Sequence, residues 1–330
     1  MIIRQLQEIP EPALTVALAE FERQFRYPLG KDGWFRISHG EDYTRFFRSL
    51  SSESACWAAQ EESTGEVLGV LSAARRTLRA PDGSSEEVVY LCDLKVSPQA
   101  RGSRVLLRLF KAAEAWNAGR CRKAFAVVMG GTVATPERYA GRVGIPALEP
   151  IAQVTILRIP VNTAPTVAAA DRATEDEVRT AFQALSLNRF ATPAGVAAIR
   201  SQRPLVPLLL SDGSGCGLVE DTLRGKRLFR DSGEEMRSGH LSCLAYASAE
   251  SAADMILAAC ECCATQTEFQ EPLPALFAAA PSDEAEAILA AIHARRPAAA
   301  GADEVILAPA TIYGHGLQAG FPWMINTSEV

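Results

Sequence analysis

"LKVSPQARGSRVLLRLFKAAEAW", residues 94–116, decides how this chain is read. An apolar run halts at Ser97-Pro98, a short basic loop with one glycine follows, and an amphipathic helix begins. Val105, Leu106, Leu109, Phe110, Ala113 and Trp116 fall on one helix face, with Arg104, Arg108 and Lys111 elsewhere. A helix start leaves up to about four backbone N–H groups unpaired and carries roughly half a positive charge. A loop running into such a start aims consecutive amides at one anion. Gly102 lets backbone approach a ligand closely, and Arg101, Arg104 and Arg108 add attraction for phosphates. The same residues also fit a plain Pro98-Gln99 turn with solvated arginines, and one glycine does not separate the two readings.

Working outward, the period on the N-terminal side is two. "SACWAAQE" (54–61), "EVLGVLSAARRTLRA" (66–80) and "EEVVYLCDLKV" (86–96) read as strands joined by "STG" and "PDGSS" turns. The last is nearly all apolar, which places it centrally. Before them, "TVALAEFERQF" (15–25) and "EDYTRFFRSL" (41–50) have helical spacing, separated by a loop, "RYPLGKDGWFRISHG" (26–40). On the C-terminal side, "KAFAVVM" (123–129) is a buried strand. "TPERYAGRV" (135–143) opens on Thr-Pro like a helix, and "IAQVTILRIP" (151–160) is a closing strand.

"VNTAPTVAAA" (161–170) has no period and reads as a linker. Beyond it the order recurs: helices in 174–185 and 192–202, strands in 213–221 and 225–231, a buried strand at 239–248, and a helix at 250–266. A strand, a helix and closing strands to residue 330 follow. This recurrence suggests duplication, carried by pattern order and not by residue identity. The expected class is α/β (α+β): domain 1–160, linker 161–170, domain 171–330, each a mainly antiparallel mixed sheet flanked by helices.

The 330 residues are 48% apolar and 22% charged, enough for a sizeable core, and their net charge of −6 argues against nucleic-acid binding. No apolar run reaches the ~18 residues of a membrane span, and the first 25 residues lack a signal-peptide pattern. Eight cysteines do not make a disulfide framework and point to a reducing cytoplasm. "CECC" (260–263) and the pair His240/Cys243 offer thiols and imidazole, but Cys260 and Cys263 share the apolar helix face of Ile256 and Ala259. No metal is expected. His315, between two glycines, reads as a turn histidine.

"YLCDLKVSPQARGSRVLLRLFKAAEAW" (90–116) resembles the acetyl-CoA-binding motif of the GNAT acyltransferases. Gln99, Gly102 and Arg104 occupy the positions of its Gln/Arg-x-x-Gly-x-Gly/Ala signature, which lies between the family's fourth strand and third helix. The resemblance covers about residues 1–160 by motif and order, and 171–330 by order alone. It implies acetyl-CoA as acyl donor. The backbone of Leu94, Lys95 and Val96 would pair with pantetheine, and the amides of Arg101, Gly102, Ser103, Arg104 and Val105 would hold the pyrophosphate. Arg104 departs from the pattern, standing where glycine or alanine is usual.

Amine acylation needs a base, an oxyanion donor and an acid for the leaving thiolate. The resemblance places Asp93 where members often carry an acidic residue; the residues alone equally fit an ion-paired strand aspartate. Tyr139 is on the segment that supplies the thiolate acid in many members, but one position early, with Ala140 in the usual place; a packed aromatic fits as well. In the 26–50 region, His39 is a candidate base near neutral pH, and Glu41 a helix-start carboxylate. The second half has no glycine loop and puts Glu250 where a phosphate would be repelled. It is expected to bind no coenzyme A and to wall the acceptor site. The expected function is acetyl transfer to a small-molecule or peptide amine by direct attack. The rival is a non-catalytic binding protein on a decayed transferase fold. Neither nucleic acid nor membrane is an expected partner, and a homodimer stays open.

Overall fold

A computed structural model describes all residues except 30–32, 133, 142–143, 162–169, 266–270 and 297–303. The chain begins with strand β1 (Ile2–Gln5), helix α1 (Pro12–Glu22), strands β2 (Tyr27–Leu29) and β3 (Gly33–Ser38), and helix α2 (Arg45–Leu50). Three long strands follow: β4 (Ser54–Gln60), β5 (Val67–Arg79) and β6 (Ser85–Val96). Helix α3 (Val105–Asn117), β7 (Ala124–Met129) and β8 (Glu149–Pro160) complete the first half. The second half runs β9 (Ala170–Arg172), α4 (Glu175–Leu185), β10 (Phe190–Ala191), α5 (Ala197–Arg200), β11 (Val206–Leu210), β12 (Gly215–Glu220), β13 (Arg227–Arg230) and β14 (Gly239–Tyr246). It ends with α6 (Ala249–Ala264), β15 (Ala275–Pro281), α7 (Ala285–Arg295), β16 (Ile306–His315) and β17 (Trp323–Met324).

One sheet spans the molecule in the order β1-β4-β5-β6-β7-β16-β8-β15-β14-β12-β11-β9. Its centre is an exchange. β16, from the second half, pairs antiparallel with both β7 and β8, and β8, from the first half, pairs with β16 and β15. On either side of that centre the order mirrors itself, including a matching parallel pair, β6 with β7 and β14 with β15; β10 and β17, off this path, form a third. A smaller three-stranded sheet, β13-β3-β2, again combines both halves.

Helix α3 covers β4 and β5 with Val105, Leu109, Phe110 and Ala113, all buried. Gly69 on β5 makes this close approach feasible, because a Cβ there would lie 2.8 Å from Val105 Cγ1 and 2.9 Å from Lys95 O. On the opposite face, Leu18, Phe21, Phe46 and Phe47 of α1 and α2 share a core with Ile312, Trp323 and Ile325 of the second half. A buried ion network also ties the halves together: Arg200 meets Glu220 at 2.8 Å and Glu329 at 3.3 Å, while Arg76 meets Glu329 at 2.8 Å. With every carboxylate and guanidinium hydrogen-bonded, such a network fixes geometry even where its net stabilisation is small.

Several sequence expectations are corrected. The stretch 26–40 is not a loop: it holds β2 and β3, and β3 gains its edge from β13, about 190 residues on. The helix expected at 135–143 is a single 3₁₀ turn, Pro136–Arg138, followed by Gly141 at φ 72°; residues 142–143 lie outside the described ones. The helix expected at 41–50 starts at Arg45, and that at 192–202 shrinks to Ala197–Arg200. Arg200 is drawn into the ion network and the chain turns extended at Ser201. Strands β1, β9, β10 and β11 escaped the reading. Most of the 161–170 linker lies outside the described residues, and Ala170 already belongs to β9.

Candidate active site

β6 carries the site. Its register with β5 skips: Val70 pairs with Lys95 and Ser72 with Cys92, so Asp93 and Leu94 face Leu71 alone. Asp93 absorbs this bulge at φ 51°, the left-handed region that non-glycine residues seldom occupy. On its other edge β6 pairs with β7 only at Val89↔Ala124 and Tyr90↔Phe125. Beyond Tyr90 the two strands diverge. Lys95 and Val96 thus have partners on β5, Leu94 sits in the bulge, and none of the three has a ladder partner on β7.

After Val96 the chain makes a 3₁₀ turn, Pro98–Ala100, and enters α3, which has no side-chain N-cap. Local partners take part of the cradle: Arg101 N–H reaches Pro98 O at 3.4 Å, Ser103 N–H reaches Ala100 O at 3.1 Å, and Val105 N–H reaches Ser103 Oγ at 3.2 Å. The N–H groups of Gly102 and Arg104 meet no protein acceptor among the described residues. Gly102 sits at φ 79° with open space where a Cβ would point. The Arg104 side chain is exposed, so it does not fill the cradle. Gln99, Arg101 and Ser103 are exposed as well. Arg108 is committed elsewhere, donating to Met1 O at 2.7 Å.

The matching place in the second half is closed. β12 and β14 repeat the skip, with Cys216 on Ala245, then Leu218 on Ser242, and Cys243 at φ 49°. α6, however, follows within two residues of β14, and Ser248 caps it in a reciprocal box with Ser251. The wedge between β14 and β15 is filled by the chain itself: Asn326 Oδ1 accepts from Cys243 N–H at 2.7 Å, and Ser242 and Ser328 hydroxyls meet at 2.8 Å.

The wedge beside β6 opens into a cavity of about 240 Å³. Its walls are mainly apolar, including Leu71, Leu94, Phe110, Val127, Ile156 and Phe277. Asp93, His39 and Tyr139, the three residues singled out for chemistry, all line it. Asp93 is not free: Lys95 Nζ lies 2.5 Å from its carboxylate and the Tyr43 hydroxyl donates to it. Burial pushes the Asp93 carboxyl up, but the charges of Lys95 and His39 and the bonds from Lys95 and Tyr43 pull harder, leaving it below its ordinary value. Burial depresses Lys95, and Asp93, with the smaller effects of Tyr27 and Glu22, raises it further still. Burial and Asp93 together raise Tyr43 well above its ordinary value. His39 is pinned, with Nδ1 2.5 Å from Glu22 Oε1 and its ring 4.8 Å from that of Tyr43. Tyr139 follows the 3₁₀ turn instead of riding a helix; burial raises its hydroxyl pKa.

The cavity's far wall comes from the second half, and of its polar residues the sequence singled out only His240, as a candidate metal ligand. Lys226, His240, Thr327, Glu329 and Val330 all line it. Lys226 Nζ donates to Val330 O and lies 4.7 Å above the Phe46 ring. Burial, reinforced by the charge of Arg200, pulls Lys226 down to about 7. No local motif marks these residues. Among the described residues there is no cluster of three or more His, Cys, Asp or Glu side chains able to hold a metal, and no helix is long and apolar enough to cross a membrane. All eight cysteines are free thiols.

No family model matches the chain, and no curated protein matches it by sequence. Solved structures do. A Saccharomyces cerevisiae N-myristoyltransferase with bound myristoyl-CoA matches at TM-score 0.60 and 12% identity, over 94% of this chain and 82% of that one. A second structure of that enzyme, with myristoyl-CoA and inhibitors, matches at 0.59 and 11%, over 99% and 83%. A GCN5-related N-acetyltransferase from Anabaena variabilis matches at 0.52 and 9%, over 95% and 72%. The chain thus has the GNAT fold, as the loop at 97–104 implied.

Proposed function

We propose that the chain is an acyl-CoA-dependent N-acyltransferase whose first half binds the donor. The observation that carries this is the contrast between two equivalent helix starts. At α3 the bulge at Asp93, the open strand edge and the unpaired Gly102 and Arg104 amides lie together and would suit an extended thiol ending in a diphosphate. At α6 the same place is capped by Ser248 and plugged by residues 325–329. A helix start favours an anion by about 0.3–1 kcal/mol, and up to about 2 when partly buried. The amides of Arg101 to Val105 would supply the cradle, and Arg104 would turn its exposed guanidinium to a phosphate.

The donor would be acetyl-CoA and the acceptor a small-molecule or peptide amine, attacking the thioester directly. Positioning by the wedge would carry most of the rate, with the amides beside the bulge facing the developing oxyanion and the Tyr139 hydroxyl near the leaving sulfur. Asp93, ion-paired and held ionised, would serve to fix the bulge as well as to face the amine. The second half (171–330) would be a diverged copy, divided from residues 1–160 within 161–170, that binds no coenzyme A and walls the acceptor site.

Calorimetry with acetyl-CoA and CoA, followed by turnover on a panel of primary amines and on acyl-CoAs of increasing chain length, tests this. One site per chain with turnover supports it; absence of CoA binding overturns it. A second reading, a CoA-binding protein without catalysis, is favoured by the engagement of Asp93 and His39 with Lys95 and Glu22. Binding without turnover on any amine selects it.

A further inference from the structure

We propose that His240 presents a bare Nε2 lone pair to the incoming amine and orients its N–H for attack; this rests on the acyltransferase reading above. The imidazole lines the cavity from the second half, is only 3% exposed, and stacks on Phe277 with ring centroids 5.4 Å apart. Its Nδ1 lies 3.1 Å from Thr327 Oγ1. That hydroxyl has one proton, and it donates it to Phe277 O at 3.1 Å. Thr327 Oγ1 is therefore the acceptor, and Nδ1 holds the imidazole proton. Nε2 is left as a lone pair, buried, with no partner among the described residues.

Buried acceptors without donors are rare and cost stability. One that lines a cavity is satisfied by what enters the cavity. A lone pair calls for an N–H or O–H, and in an acyltransferase cavity the arriving donor is the amine. Lys226 and Arg200 are the cations near this ring; Glu220 is its register partner on β12 and Glu329 lines the same cavity, and both carboxylates are tied to Arg200. Burial first, and then these two cations, hold the imidazole well below the ordinary histidine range, so it stays neutral. His240 closes a parallel between the halves as well: it is the last β14 residue paired with β15, as Tyr90 is the last β6 residue paired with β7. Both face the one cavity.

The test uses the full chain labelled with ¹⁵N-histidine, which has four histidines to assign. In the free protein His240 is expected as the Nδ1–H tautomer with an imine-type Nε2 signal. Methylamine added with saturating CoA is expected to move that signal, leaving His293 and His315 in place. Thr327→Val removes the tautomer lock and is expected to raise KM for the amine by up to about tenfold, as loss of one hydrogen bond allows, with CoA affinity unchanged. Thr327→Ser is expected to restore it. An Nε2–H tautomer in the free protein, or an Nε2 signal that methylamine leaves unmoved, overturns the inference. Failure of the chain to bind CoA at all overturns the acyltransferase reading instead, while the tautomer measurement on free protein still decides the ring's state.

Discussion

Asp93 and Cys243 occupy the same point of two matching bulges, at φ 51° and 49°, and they meet opposite fates. Beside Asp93 the strands part at the edge of the cavity; beside Cys243 the bulge N–H is tied to Asn326. Both halves carry this costly backbone conformation, and only the Asp93 bulge lines the cavity beside β6.

The Asp93–Lys95 pair is buried, so removing one partner strands the other. Asp93→Asn is expected to destabilise the fold by about 3–5 kcal/mol in denaturant unfolding. Asp93→Asn combined with Lys95→Met is expected to recover much of that loss. The pH dependence has a definite sign. Asp93 lies below its ordinary value of 3.8 when folded, so its contribution is complete above that value and fades as pH falls through the folded value. Asp93→Asn should therefore flatten the acid limb of the stability curve; an unchanged acid limb contradicts the pairing.

Lys226 gives the opposite case, a buried cation with a depressed pKa of about 7 against an ordinary 10.5. Between those values the unfolded chain holds the proton and the folded chain does not, so stability should rise with pH across that window. Lys226→Met is expected to raise the denaturant midpoint at pH 7 and to remove this slope. A slope that survives the substitution would place its origin elsewhere.

The two helix starts should respond differently to substitution. Ser248→Ala is expected to cost about 1 kcal/mol of stability as a lost cap and to leave CoA binding unchanged. Gly102→Ala forces an L side chain into φ 79° with no packing gain. It is expected to cost about 1 kcal/mol and to weaken CoA binding about tenfold as the loop relaxes. Thermal unfolding and calorimetry on both variants separate the effects; equal loss of CoA affinity in the two would contradict the assignment.

The turn and helix start at 97–105 were legible because they are local. Ser97-Pro98, Gly102 and the apolar stripe of α3 lie within about 20 residues, and the chemistry of a helix start needs nothing from further away. The capped start of α6 was legible for the same reason, since Ser248 and Glu250 stand in the sequence where a glycine loop would be. What was hidden is non-local. β3 read as loop because its partner β13 is about 190 residues distant. The exchange of β8 and β16 leaves no trace in either strand's own pattern. The sequence offers His240 only as an imidazole near Cys243; the partners that fix its proton, Thr327 and Phe277, lie 87 and 37 residues away. The segment before Tyr139 reads as a helix because of Thr-Pro, whereas Gly141 and Gly144 take positive φ and end it after one turn.

The most direct measurement is the backbone amide spectrum of the ¹⁵N-labelled chain as CoA is added. The Gly102 and Arg104 signals are expected to move strongly and together, with Ser251 and Ala252 at the start of α6 unmoved. A titration in which Gly102 and Arg104 stay still, or in which the α6 start responds instead, would contradict the donor site proposed for the first half.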